Sequence, residues 1–265
     1  MTSAGNDPPF YWAHGEDDAP VLLCLHGIGS CGDAFVPQRP LALRCHRRVV
    51  AWDAPGYRHS PDPRADPGLD GWADAAAELI GRLGVARADV LGVSWGGVTA
   101  TRLALRRPEL VRSLVLADSS VGSGTDPAVA AAVRSRARDV TEHGIDEFAR
   151  ARAPKLVAAN ASADLVAEVA ELMAVSVRMP PYSWAVDSLA ATDHRSELGS
   201  IRCPTLIVVG ADDIVTGPAD AQELAAGIAG SELVTIADAG HLANQERPEA
   251  FNAATAAFLD RIETS

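Results

Sequence analysis

The chain has 265 residues, of which 48% are hydrophobic and 22% charged, and a formal net charge of −12. This length suits one large or two small domains, and this balance belongs to an ordinary folded protein; no run approaches the roughly eighteen apolar residues of a membrane-spanning helix. The acidity disfavours nucleic acid, whose phosphates need clustered Lys and Arg, and it weakly repels anionic small molecules unless a local positive patch overrides it.

Met1 to Pro9 is polar and lacks a basic region ahead of an apolar stretch, so it does not read as a secretory signal and a cytoplasmic location is expected. Val21-Leu22-Leu23-Cys24-Leu25 is continuously apolar and ends in His26-Gly27-Ile28-Gly29-Ser30. Such runs suit strands covered on both faces. Arg48 to Asp53 repeats the form and turns at Pro55-Gly56. Residues 72 to 83 predict a helix, with Trp72, Ala76, Leu79 and Leu83 on one face. A strand over Asp89–Val93 follows, then a helix from near Trp95 to before Pro108, then a strand over Val111–Ala117.

The alternation stops there. Residues 121 to 198 are helix-like, with breaks at Gly144, Pro154 and Pro180-Pro181. Afterwards the rhythm resumes with a strand at Thr205–Val209, a helix at Pro218–Ala229, a strand at Glu232–Ile236 and a helix at Pro248–Arg261. Strands alternating with helices imply an α/β fold: a mostly parallel, twisted sheet covered by helices on both faces. Residues 1–120 and 199–265 would form its core, with 121–198 inserted above the carboxyl ends of the strands, where such sheets bind ligands. The four cysteines are too few for a disulfide framework. Cys24 and Cys203 sit in or beside apolar runs, and Cys31 and Cys45 are expected nearer the surface as reduced thiols.

Gly92-Val93-Ser94-Trp95-Gly96 lies between a strand and a helix, where a tight turn would present Ser94 as a nucleophile at the helix N-terminus. A nucleophilic serine needs a base, and His241 is the one histidine of seven in a late post-strand loop. His194, at the end of the inserted block, is instead a candidate to line the pocket, whereas His26 reads as structural and His14, His46, His59 and His143 as surface or capping residues. Asp213, after the penultimate strand, would orient the imidazole, with Asp212 a solvated neighbour and Asp118 the rival. Backbone N–H groups of Ile28 and Trp95 are the candidate oxyanion donors. Met179, Tyr182, Trp184 and Val215 are candidate substrate-pocket walls, or simply packing residues of the insertion.

Together these pieces resemble the α/β-hydrolase superfamily. The resemblance is carried by His26-Gly27-Ile28-Gly29-Ser30, Asp53-Ala54-Pro55-Gly56-Tyr57, the turn at Ser94, Gly210-Ala211-Asp212-Asp213, and Ala239-Gly240-His241 through Pro248. Within the superfamily the chain looks like the small enol-lactonase and esterase-like members, including meta-cleavage-product hydrolases. Its Gly-Val-Ser-Trp-Gly-Gly variant is also similar to some polyester depolymerases and acyl-transferring relatives. The resemblance implies the order Ser94, Asp213, His241 for the triad and a helical lid over 121–198.

Two departures stand out: Arg58 occupies a position where relatives usually carry glycine, and Val93 one where many carry His. The implied activity is cofactor-free and metal-free hydrolysis of an ester or lactone of a small, largely apolar substrate. Carbon–carbon bond hydrolysis, acyl transfer or cyclisation, and a non-catalytic ligand receptor are the alternatives. Serine excludes the dehalogenase branch, which uses an aspartate there. No stretch of sequence specifies an oligomeric state.

Overall fold

The computed structural model describes residues 8–263, so the reading of Met1–Asp7 lies outside the described residues. One sheet contains β1 (Tyr11–His14), β2 (Val21–Leu25), β3 (Arg48–Trp52), β4 (Ala88–Val93), β5 (Val111–Ala117), β6 (Thr205–Gly210) and β7 (Glu232–Ile236). Their order is β1-β3-β2-β4-β5-β6-β7. β1 runs antiparallel to β3, and the remaining pairs are parallel.

Side chains alternate along each strand, so one sheet feeds two cores. Leu23, Leu25, Val90, Leu114 and Ile207 point to the face covered by α2 (Gly68–Arg82), α3 (Trp95–Arg106) and α8 (Gly217–Gly227). Leu22, Cys24, Leu91, Val115 and Val208 point to the face covered by α1 (Leu41–Arg44) and α10 (Pro248–Glu263). Burial on both sides explains the unbroken apolar runs in sequence. β1 has no apolar signature in sequence because it is an edge strand with a largely exposed pattern.

Between β5 and β6 lie α4 (Pro127–His143), α5 (Ile145–Arg152), α6 (Ala163–Ser176) and α7 (Pro181–Ala191). α4 packs on α7 and α5 on α6. The expected breaks are present, and a further one at 156–162 separates α5 from α6. α9 (Ala243–Glu246) is a short turn before α10. Cys31 and Cys45 are buried rather than near the surface, and the cysteines are free thiols. Cys31 immediately precedes the 3₁₀ segment Gly32–Gln38, and Cys45 ends α1, which packs on α10. Among the described residues, no helix is long and apolar enough to cross a membrane.

Arg58 does adopt a left-handed conformation, with φ of 38°. This is a sparsely populated region for a residue with a side chain. The turn is held from outside: the Arg58 N–H donates to Ser176 O at 3.1 Å, and its guanidinium pairs with Asp33 at 3.2 Å. The Arg178 guanidinium donates to the carbonyls of Arg58 and Ser60.

Candidate active site

Ser94 joins β4 to α3 with φ 56° and ψ −121°, a strained conformation for serine. The flanking glycines leave the space this requires. A Cβ on Gly92 would lie 2.3 Å from Gly96 O, and one on Gly96 would lie 2.0 Å from Leu25 O. The chain can cross that closely only without side chains.

His241, in the loop after β7, places Nε2 2.9 Å from Ser94 Oγ and Nδ1 3.0 Å from Asp213 Oδ2. An ionised carboxylate can only accept, so Nδ1 carries the proton and Nε2 is left to accept the serine O–H. Asp213 also accepts from Val215 N–H at 2.7 Å, the Thr216 hydroxyl at 2.7 Å and Gly217 N–H at 3.0 Å. Burial opposes its ionisation, but the hydrogen bond and charge of His241, with these further donors, hold the carboxyl well below the usual range.

Asp118, the rival acid, does not reach the imidazole. Its oxygens accept Gly210 N–H at 2.8 Å and Ala243 N–H at 3.1 Å, which ties the β5, β6 and α9 ends together. Burial, and then the charge of Asp213, push its carboxyl well above the usual range. Glu246 is a second buried brace. It accepts Gly240 N–H at 2.8 Å and Ala158 N–H at 2.7 Å, so it joins the histidine loop to the segment between α5 and α6. Its place in the motif after His241 was visible, but its reach to residue 158 was not.

His26 is structural. Burial lowers it to about 4, so the imidazole is neutral; its Nε2 accepts Ala54 N–H at 2.9 Å and its Nδ1–H donates to Gly27 O at 2.8 Å. That arrangement, with the Tyr57 hydroxyl donating to Ile28 O at 2.8 Å, sets the loop beside Ser94. Trp95 opens α3, so its N–H has no carbonyl one turn back. Its indole is turned away, edge-on to Trp72, with Nε1–H donating to Ser188 Oγ at 3.0 Å.

A cavity of about 710 Å³, counted with its open mouth, lies above Ser94. Its walls include His26, Gly27, Ile28, Ser94 and His241 from the sheet side and Leu156, Val169, Leu172, Met173 and Tyr182 from the insertion. Of the four candidate wall residues, Tyr182 and Val215 line this cavity. Met179 and Trp184 do not. Met179 is 41% exposed at the turn before α7, and Trp184 lies on a different face of α7, packed against the hydrophobic core. His194 is buried beside Glu197, at 3.6 Å, outside the cavity. Two wall residues that sequence reasoning missed are Arg136 of α4 and Arg152 of α5. The available signal was their spacing. Arg136 lies three residues after Val133 and four before Val140, and Arg152 four after Phe148, so each shares the buried stripe of its helix. Among the described residues, no cluster of His, Cys, Asp or Glu is arranged to hold a metal ion.

The chain is similar to 3-oxoadipate enol-lactonase 2 of Acinetobacter baylyi, with 28% identity over 256 residues, 95% of this chain and 93% of that protein. Among solved structures, a hydrolase from Pseudomonas aeruginosa superposes with a TM-score of 0.88 at 31% identity, covering 97% of this chain and 96% of that one. The enol-lactonase from Burkholderia xenovorans gives a TM-score of 0.83 at 27% identity, covering 95% and 96%. The family profile described as the alpha/beta hydrolase fold matches residues 20–248. With that match over a sheet of this order, the chain belongs to the α/β hydrolase fold family and is one of its enzymes.

Proposed function

We propose that the protein hydrolyses a carboxylic ester or lactone of a small molecule through an acyl-enzyme on Ser94, with 121–198 as a helical lid over a core of 1–120 and 199–265. The observation that carries this reading is the hydrogen-bonded line from Ser94 through His241 to Asp213. Ser94 Oγ attacks the carbonyl carbon while His241 Nε2 takes its proton, and Asp213 stabilises the imidazolium that forms. Negative charge collects on the carbonyl oxygen, between the N–H groups of Ile28 and Trp95. Each such donor contributes about 3 kcal/mol in comparable sites. The C–O bond then breaks, and the leaving oxygen takes the proton from His241. A water, deprotonated by the same nitrogen, hydrolyses the ester on Ser94 and restores the hydroxyl.

Supporting context comes from the relatives, which include proteins named as enol-lactonases. Labelling with a fluorophosphonate, followed by peptide mass mapping, tests the reading. One adduct per chain, on Ser94 and absent from Ser94→Ala, is the expected result. No adduct, or an adduct elsewhere that survives Ser94→Ala, would overturn it.

A further inference from the structure

Arg136 and Arg152 line the same cavity as Ser94 and His241. They also border a cleft on the outer side of the insertion, between α4 and α5, so they form the wall between the two spaces. The acids of that cleft, Asp139 and Glu147, line only its outer side. Neither guanidinium has a carboxylate within ion-pair distance among the described residues, although the chain carries 35 acidic residues against 23 basic ones. Arginines nearby are treated differently: Arg134 pairs with Asp187 at 3.3 Å and Arg178 with Asp62 at 2.6 Å. Two unpaired, half-buried cations side by side are costly unless an anion joins them.

The remaining groups point the same way. Burial, and then the charge of Arg136, lower Arg152 to about 10, so the two guanidiniums repel each other. The Tyr182 hydroxyl has no hydrogen-bond partner among the described residues, and burial holds its pKa up at about 12, so it remains a donor. The apolar walls Leu156, Val169, Leu172 and Met173 complete the cavity.

We propose that Arg136, Arg152 and Tyr182 form an anion subsite in the lid wall of the cavity, so that the ester or lactone cleaved at Ser94 carries a carboxylate or phosphate remote from its reacting carbonyl. This rests on the reading of Ser94 as nucleophile, and it replaces the expectation of a largely apolar substrate. Guanidinium forks suit oxyanions because two parallel N–H groups meet two oxygens. The net acidity repels such a molecule only at long range, and the paired arginines dominate at contact distance.

Two measurements test it. In the first, inactive Ser94→Ala protein is titrated calorimetrically with monoalkyl esters of linear dicarboxylic acids, with phosphate-ended analogues, and with length-matched neutral esters. Saturable binding of one anionic series, at least about tenfold tighter than the neutral esters and lost in Arg136→Gln/Arg152→Gln on the same background, is expected. Equal affinity for neutral and anionic ligands, or tight binding that survives the double substitution, overturns the subsite. Whichever anion binds identifies the source.

In the second measurement, kcat/KM is compared between anionic and neutral p-nitrophenyl esters. The anionic preference should fall at least about tenfold in the double variant. A proportionate loss on both substrates contradicts the proposal. Turnover of neither ester by the wild-type protein would count against Ser94 as nucleophile, whereas the calorimetry judges the arginines independently.

Discussion

On the sheet side of the cavity, Asp213 accepts from Val215, Thr216 and Gly217 as well as His241, while Asp118 and Glu246 clamp the loops that carry these residues. On the lid side, Arg136 and Arg152 have no carboxylate partner and the Tyr182 hydroxyl has no hydrogen-bond partner among the described residues. The difference separates two tasks. Under the proposed function, the groups that perform the reaction are held by bonds formed on folding, so little free energy goes into reorganising them. The groups proposed to select the substrate keep their donors open for a ligand. Substitutions on the sheet side should therefore damage turnover or folding whatever the substrate, and those on the lid side should change preference.

The largest break in that contrast comes from Asp213→Asn. The amide can still be hydrogen-bonded but no longer offers the imidazole an ionised acceptor oxygen, so kcat should fall by about 10⁴-fold. Steady-state turnover of a short p-nitrophenyl ester measures it, and a loss below about tenfold would show that the carboxylate is not coupled to the chemistry. Gly96→Ala tests the backbone crossing behind the nucleophile. Its Cβ would lie 2.0 Å from Leu25 O, so destabilisation of about 3 kcal/mol or more is expected as a lowered Tm.

His26 sharpens the comparison through pH. Its pKa falls from 6.5 to about 4 on folding, so between those values the unfolded chain binds the extra proton. Stability is thus fully present above 6.5 and is lost as pH falls toward 4, by roughly 3 kcal/mol. Urea midpoints measured across that window should show a steeper acid loss in the wild type than in His26→Gln, and equal slopes would contradict the assignment. The smallest effects belong to exposed neighbours. Asp212→Asn and Met179→Ala should leave kcat within about twofold and stability within about 0.5 kcal/mol.

The sheet side was largely legible in sequence because its signals are local. A parallel strand reads as an apolar run, Gly92 and Gly96 bracket Ser94, and each site residue follows a strand. Asp213 and Asp212 are adjacent acids that sequence position barely separates, and the hydrogen bonds of Asp213 supply the physical reason to prefer it. β1 was missed because an exposed edge strand has no apolar run. The lid was readable as helices but not as a surface. Met179 and Trp184 have the side-chain type of pocket walls, yet which way a side chain of the insertion faces depends on how α4 to α7 pack on one another, information that does not lie in any one segment. Arg136 and Arg152 were hidden for the same reason, since a charged residue within an apolar stripe reads as a solvated one until the helix opposite is placed.

The central claim is that the hydroxyl of Ser94 performs the reaction. Its most direct test is kcat for a short p-nitrophenyl ester in Ser94→Ala, with Tm measured alongside to confirm folding. A folded variant slowed by at least about 10⁴-fold is the predicted result. A folded variant retaining more than about one tenth of wild-type kcat would contradict it, because loss of the nucleophile in a working triad costs far more than that.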